Sequence, residues 1–210
     1  DRGVLVGCNS SSNAGLDFDL SDKCTVIGPV SDDRDEPDVT QRIFSQTATV
    51  TVSNTAVETT LTGTGHGSLT LPVDYISIGR TIRIKAWGFY STGAIPTTLN
   101  MRVRVGTAVV SFTGDVITAA SLSSRLWKID LDFTWRASGV AGTIFSQGVF
   151  EHNANSSSTG TPTWWEMSNT ATDAVDTTIS QLLDVTADWG AGVTASDSIS
   201  LTNLIVEALN

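Results

Sequence analysis

The stretch Gly79–Gly106, GRTIRIKAWGFYSTGAIPTTLNMRVRVG, constrains this chain more than any other. Ile82, Ile84, Ala86 and Gly88 alternate with Arg83, Lys85, Trp87 and Phe89, and Met101, Val103 and Val105 alternate with Arg102 and Arg104. A period of two sends successive side chains to opposite faces, so each half reads as a strand with one apolar and one charged face. The Gly-, Pro- and Thr-rich link STGAIPTT suits a turn, and the pair reads as a hairpin. A hairpin cannot stand alone in water, so further strands must cover its apolar face.

The rest of the chain supplies them. In Ser124–Arg136, Trp127, Ile129, Leu131, Phe133 and Trp135 share one side, and Lys128, Asp130, Asp132, Thr134 and Arg136 the other. Further strands are expected over Ile43–Val52, Ala56–Leu61, Ser68–Leu71, Ala108–Phe112, Thr143–Phe150, Trp164–Met167, Asp176–Ile179, Leu182–Trp189 and Ser198–Leu209. No helical pattern separates them, which argues against a parallel βαβ sheet, and no repeat of propeller or solenoid length is present. Only 16% of the 210 residues are charged, too few for long amphipathic helices. The expected fold is all-β: an antiparallel two-sheet sandwich of the jelly-roll kind over residues 42–210, with an extended N-terminal arm over 1–41.

The arm differs in character. It holds a Gly/Ser/Asn tract, GCNSSSNAG, and the acidic run SDDRDEPD, with Asp32, Asp33, Asp35, Glu36 and Asp38 around a single Arg34. Such a run is a solvated segment, with Ca²⁺ binding as the alternative. Its short apolar runs, Val4–Val6 and Thr25–Ile27, could each add a strand to a neighbour's sheet edge. Cys8 and Cys24 both lie here, either as two free thiols or as a candidate disulfide in an oxidising setting. The chain starts at Asp1, which is read as a processed product or a piece of something longer.

Charge and motifs narrow the function. A net charge of −10 disfavours nucleic acid and anionic membranes, and no apolar run is long enough for a spanning helix. The two histidines, His66 and His152, have no partner spacing for zinc, so neither a metal nor a cofactor is expected. Gly63, Gly65 and Gly67 read as turn glycines, since no helix follows to make a phosphate site. Asp130 and Asp132 lie about 6.5–7 Å apart on one strand face, a spacing open to two-carboxylate hydrolysis. Lys128 and Arg136 on the same face favour a solvated strand instead. The chain is therefore read as no enzyme. Of the adjacent pair Trp164 and Trp165, one faces the core and the other faces out, serving a core edge, a subunit interface or a sugar-stacking platform, the last with Trp165 as the residue to test. The sequons at Asn9 and Asn155 are expected by chance in Ser-rich loops.

The segments GTGHGSLTLP, GRTIRIKAWGFYSTGAIPTTLNMRVRVG, SRLWKIDLDFTWR and SDSISLTNLIVEALN, in that order, resemble the β-sandwich domains of tailed-bacteriophage tail fibres, head fibres and capsid decoration proteins. The resemblance covers about residues 42–210. It implies an extracellular virion surface protein, a homotrimer contacting other virion proteins of the capsid or tail, with no enzymatic role and with host surface glycans as a further partner. The alternatives are a carbohydrate-binding module and an extracellular filament subunit assembling by donor strand. Arg83, Lys85, Arg102 and Arg104 are four of only twelve basic residues, and on one hairpin face they are expected to meet an acidic surface, either the 32–38 run or a neighbouring subunit.

Overall fold

The computed structural model describes residues 41–73, 75, 77–154, 162–169, 171–190 and 192–209. Cys8, Cys24, the acidic run 32–38 and both sequons lie outside these residues, as does the arm up to residue 40. Among the described residues every regular element is a strand. The first five are β1 (Gln41–Gln46), β2 (Val50–Ser53), β3 (Thr59–Thr60), β4 (Gly65–Gly67) and β5 (Thr70–Leu71). Next come β6 (Thr81–Ser91), β7 (Thr98–Val105), β8 (Ala108–Phe112), β9 (Val116–Ile117) and β10 (Arg125–Ala137). The last are β11 (Thr143–His152), β12 (Thr163–Glu166), β13 (Asp173–Ala174), β14 (Gln181–Trp189) and β15 (Ser198–Ala208).

These strands form two antiparallel sheets. The larger runs β12-β11-β10-β6-β15-β1-β4, and the smaller runs β3-β14-β7-β8. The pairing is nested: β1 with β15, β3 with β14, β6 with β10, and β7 with β8. Early strands pairing with late ones, with β2 joining β1 on β15 and the middle strands pairing innermost, is the winding of a jelly roll. The expected fold class holds, and β11, β12 and β13 extend the larger sheet beyond β10. The first described residue, Gln41, already lies in β1.

The expected hairpin does not form. β6 pairs with β10 and β15 in the larger sheet, and β7 pairs with β14, β8 and β9 in the smaller. Alternation fixes which face of a strand is buried, not which strand lies beside it. The six residues 92–97 therefore carry the chain across the roughly 10 Å between sheets, and the apolar faces of β6 and β7 meet across the core. Their buried residues, Ile82, Ile84 and Ala86 with Leu99, Met101, Val103 and Val105, belong to one cluster. It follows that Arg83 and Lys85 point out of one side of the sandwich, and Arg102 and Arg104 out of the other.

Two smaller differences have similar causes. Ile43–Val52 is split at residues 47–49 into β1 and β2, and Asp176–Ile179 is bends rather than strand. In that second segment Asp176 takes the amide and hydroxyl of Thr178, a local turn that competes with ladder bonds. By contrast, β10 buries Trp127, Ile129, Leu131, Phe133 and Trp135, all five of the residues expected inward. Gly88 makes room for one of them. A Cβ there would lie 1.7 Å from the Ser200 carbonyl oxygen, to which the Trp127 indole donates at 3.1 Å beside a bulge in β15.

Candidate functional site

The alternation that fills the core also lays out the exterior of the larger sheet as rows of cross-strand neighbours. At the end where β1 begins, one row reads Arg42, Glu207, Arg83, Asp132, Gln147. The charges alternate in sign, and Arg83 forks onto Asp132 with two bonds of 2.9 Å. The next row holds Ile205, Lys85, Asp130, Val149 and Glu166. Asp130 and Asp132 thus sit among cationic strand neighbours, on the charged face expected for them.

The character changes one row further on. Asn203, Trp87, Lys128, Glu151 and Trp164 lie side by side, with Lys128 and Glu151 ion-paired at 3.1 Å. Beyond them Phe89 faces Leu126. Trp164, Leu126 and Phe89 are 61%, 54% and 44% exposed, and Trp87 is half-buried. Trp87 and Trp164 stand three strand spacings apart, about 14–15 Å. A single exposed apolar side chain needs no explanation, but four gathered on one sheet face form a patch of the kind that marks a contact site. Trp87, Phe89 and Leu126 escape a reading of motifs. Their one sequence signal is that large apolar residues occupy the charged side of otherwise regular strands.

The tryptophan pair divides as expected, with the roles now assigned. Trp164 faces out, while Trp165 turns inward against the core, so the exposed ring is Trp164 and not Trp165. The Trp165 indole donates to Nε2 of His152 at 3.2 Å. His152 is buried, its Nδ1 lies 3.0 Å from the Tyr90 hydroxyl, and that hydroxyl donates to the Asn153 carbonyl at 2.8 Å. Burial lowers the His152 pKa to about 4 and raises that of Tyr90. His66 sits exposed on β4, at the far edge of the same sheet.

The exterior of the smaller sheet is organised differently. Arg104 binds both oxygens of Glu58, at 2.5 and 2.7 Å, and Thr186 donates to Glu58 at 2.5 Å. Arg102 lies 3.9 Å from Glu58 and pairs with Asp188, which also takes the Asn100 amide. Thr60 and Thr62 donate to Asp184 at 2.7 and 2.8 Å. The segment between β2 and Thr62 thus adds β3 to the sheet edge at β14 and sends Glu58 across to Arg104 on β7. The Arg104 hydrogen bonds, opposed by burial and helped by Thr186, lower the Glu58 pKa to about 2. The four basic residues singled out in the sequence therefore do not share a face, and three of them already hold carboxylates of their own chain. Glu58 itself, a lone acid in a Thr-rich loop, carries no signal in the sequence.

Of the three glycines read as turn residues, Gly65 and Gly67 lie instead in β4; only Gly67 has a positive φ, 91°, and Gly65 packs where a Cβ would strike the Phe44 ring. Among the described residues no three His, Cys, Asp or Glu side chains gather as a metal site. No protein-family model matches the chain, and no curated protein matches it.

Proposed function

We propose that this chain is a non-enzymatic structural subunit on the outside of a bacteriophage particle, self-associating as a homotrimer and attached to capsid or tail through the segment before Gln41. The observation that carries the self-association is the patch of Trp87, Phe89, Leu126 and Trp164 on the exterior of the larger sheet. Exposed aromatic and aliphatic groups of this kind become buried when a second surface seats on them, and Trp is the residue most enriched at the energetic centres of such contacts. The sequence likeness to virion surface domains supplies the setting. The acidic net charge of −10 fits a protein facing the medium and proteins rather than nucleic acid.

Light scattering on the purified chain tests the reading. The expected mass is that of a trimer, and Leu126→Glu, which sets a charge in the middle of the patch, shifts it to monomer with the fold unchanged by circular dichroism. A Leu126→Glu chain that still runs as a trimer would overturn this face as the interface.

One observation favours a second reading, a glycan-binding face. Trp87 and Trp164 flank the Lys128–Glu151 pair in a single cross-strand row, which offers two aromatic rings with hydrogen-bond donors and acceptors between them. On this reading Trp164→Ala abolishes binding on a glycan array while leaving the oligomeric mass intact.

A further inference from the structure

We propose that His152 is an acid-sensitive latch that holds the edge strand β12, and with it the exposed Trp164, against the larger sheet. Hydrogen-bond chemistry determines the state of the latch. An indole N–H only donates, so Nε2 of His152, 3.2 Å from the Trp165 nitrogen, must carry a lone pair. A neutral imidazole then has its proton on Nδ1, which donates to the Tyr90 oxygen at 3.0 Å. That leaves the Tyr90 hydroxyl proton for the Asn153 carbonyl at 2.8 Å. Each donor in the chain Trp165, His152, Tyr90 finds one acceptor, and only the neutral Nδ1–H tautomer satisfies all three.

Proton uptake at Nε2 breaks this order. It sets an N–H against the Trp165 N–H and places a cation at a 2% exposed position. Among the described residues no carboxylate faces it. Tyr90 approaches from β6, and Arg125 on β10, itself a cation, lies across from Tyr90. Trp127 on β10 is the strand neighbour of His152, and Phe150 on β11 stacks on its ring at 5.5 Å. Glu151 points to the other face of the sheet, where it holds Lys128. From β12 come Trp165 and, directly across, Thr163. Burial alone lowers the His152 pKa, consistent with this apolar and uncharged surround.

The element with most to lose is β12. It has four residues, pairs only with β11, and ends the larger sheet among the described residues. Within β12 Trp165 is the residue packed against the core, buried Met167 holds the chain just past its end, and Trp164 stands on the outer face. Loss of the indole bond therefore frees the strand that presents Trp164.

The test uses the full chain, which has only two histidines, so exposed His66 serves as an internal reference. Nitrogen-15 spectra at pH 7 are expected to show His152 as the neutral Nδ1–H tautomer. On acidification the β12 amides are expected to lose exchange protection with the His152 titration, at a midpoint near pH 4 and before the remaining sheet amides. W165F keeps an aromatic ring but removes the donor, and is expected to raise the His152 midpoint and uncouple it from β12 exchange; Y90F is expected to preserve the coupling. An Nε2–H tautomer at pH 7, or β12 protection that is unmoved through the His152 titration, would overturn the latch.

Discussion

The exteriors of the two sheets are made of the same kind of strand and end in opposite conditions. β6 and β7 each alternate an apolar residue with a basic one. On β7 the arginines meet a loop, and Glu58, Thr60 and Thr62 complete a closed network with Asp184, Thr186 and Asp188. On β6 no loop arrives among the described residues. Arg83 finds Asp132 in the neighbouring strand, and the row with Trp87 is left to the outside. A basic strand face is thus neither an interface nor a sealed wall by itself. What the chain lays over it decides, and the difference separates the part of the surface that stabilises this fold from the part open to partners.

Acid should expose that difference most strongly. Both shifted groups have pKa values below their ordinary ones, so each stabilises the fold above its unfolded value and loses that contribution as pH falls. His152 does so between about 6.5 and 4, and Glu58 between about 4.5 and 2. Acidification from neutral pH to below the folded value removes on the order of 3 kcal/mol at each, at Glu58 by neutralising an ion-paired carboxylate and at His152 by charging a buried ring. Urea midpoints measured from pH 7 to pH 2 should fall in two stages, and Glu58→Gln should remove the lower one. A smaller effect comes from deleting the carboxylate at fixed pH. Glu58→Ala leaves Arg104 and Thr186 without their acceptor and should cost about 2–3 kcal/mol, whereas Arg83→Ala across the sandwich should cost less than about 1 kcal/mol. Equal losses in chemical denaturation would erase the distinction between the sealed and the open face. The smallest expected change is Leu126→Ser measured at a dilution where the chain is monomeric, within about 0.5 kcal/mol of the parent, because on the free subunit the side chain stands in water. A larger loss would mean that the patch supports the fold itself.

Much of this architecture is legible in the sequence because burial leaves a period of two. The β10 run from Trp127 to Trp135 shows its inward set without any tertiary information, and the antiparallel class follows from turn spacing; the strand number does not, because β4, β9 and β13 are only two or three residues long and leave no period to read. Partner choice is not legible in the same way. Nothing in Gly79–Gly106 distinguishes a hairpin from a crossing between sheets, since both bury the same residues. The functional features are fainter still. Tyr90 and Trp165 meet His152 from 62 and 13 residues away, and Glu58 meets Arg104 from 46 away. Such meetings depend on the roll being closed. Trp164 is legible as one of a pair, but which ring faces out rests on a register that only the β11–β12 pairing sets.

The nested pairing also sets an order in time. β7 and β8 meet at Val105 and Ala108, almost adjacent in sequence, while β6 and β10 must close the span between Tyr90 and Arg125. β1 waits longest, because Gln41 lies beside Ala208. Closing a longer loop costs more entropy before any contact repays it, so the roll tightens from its middle outward. During synthesis Phe44 and the apolar side of β1 therefore stay without their native cover until the last strand has emerged. The first strand of the sandwich is the last to find its place.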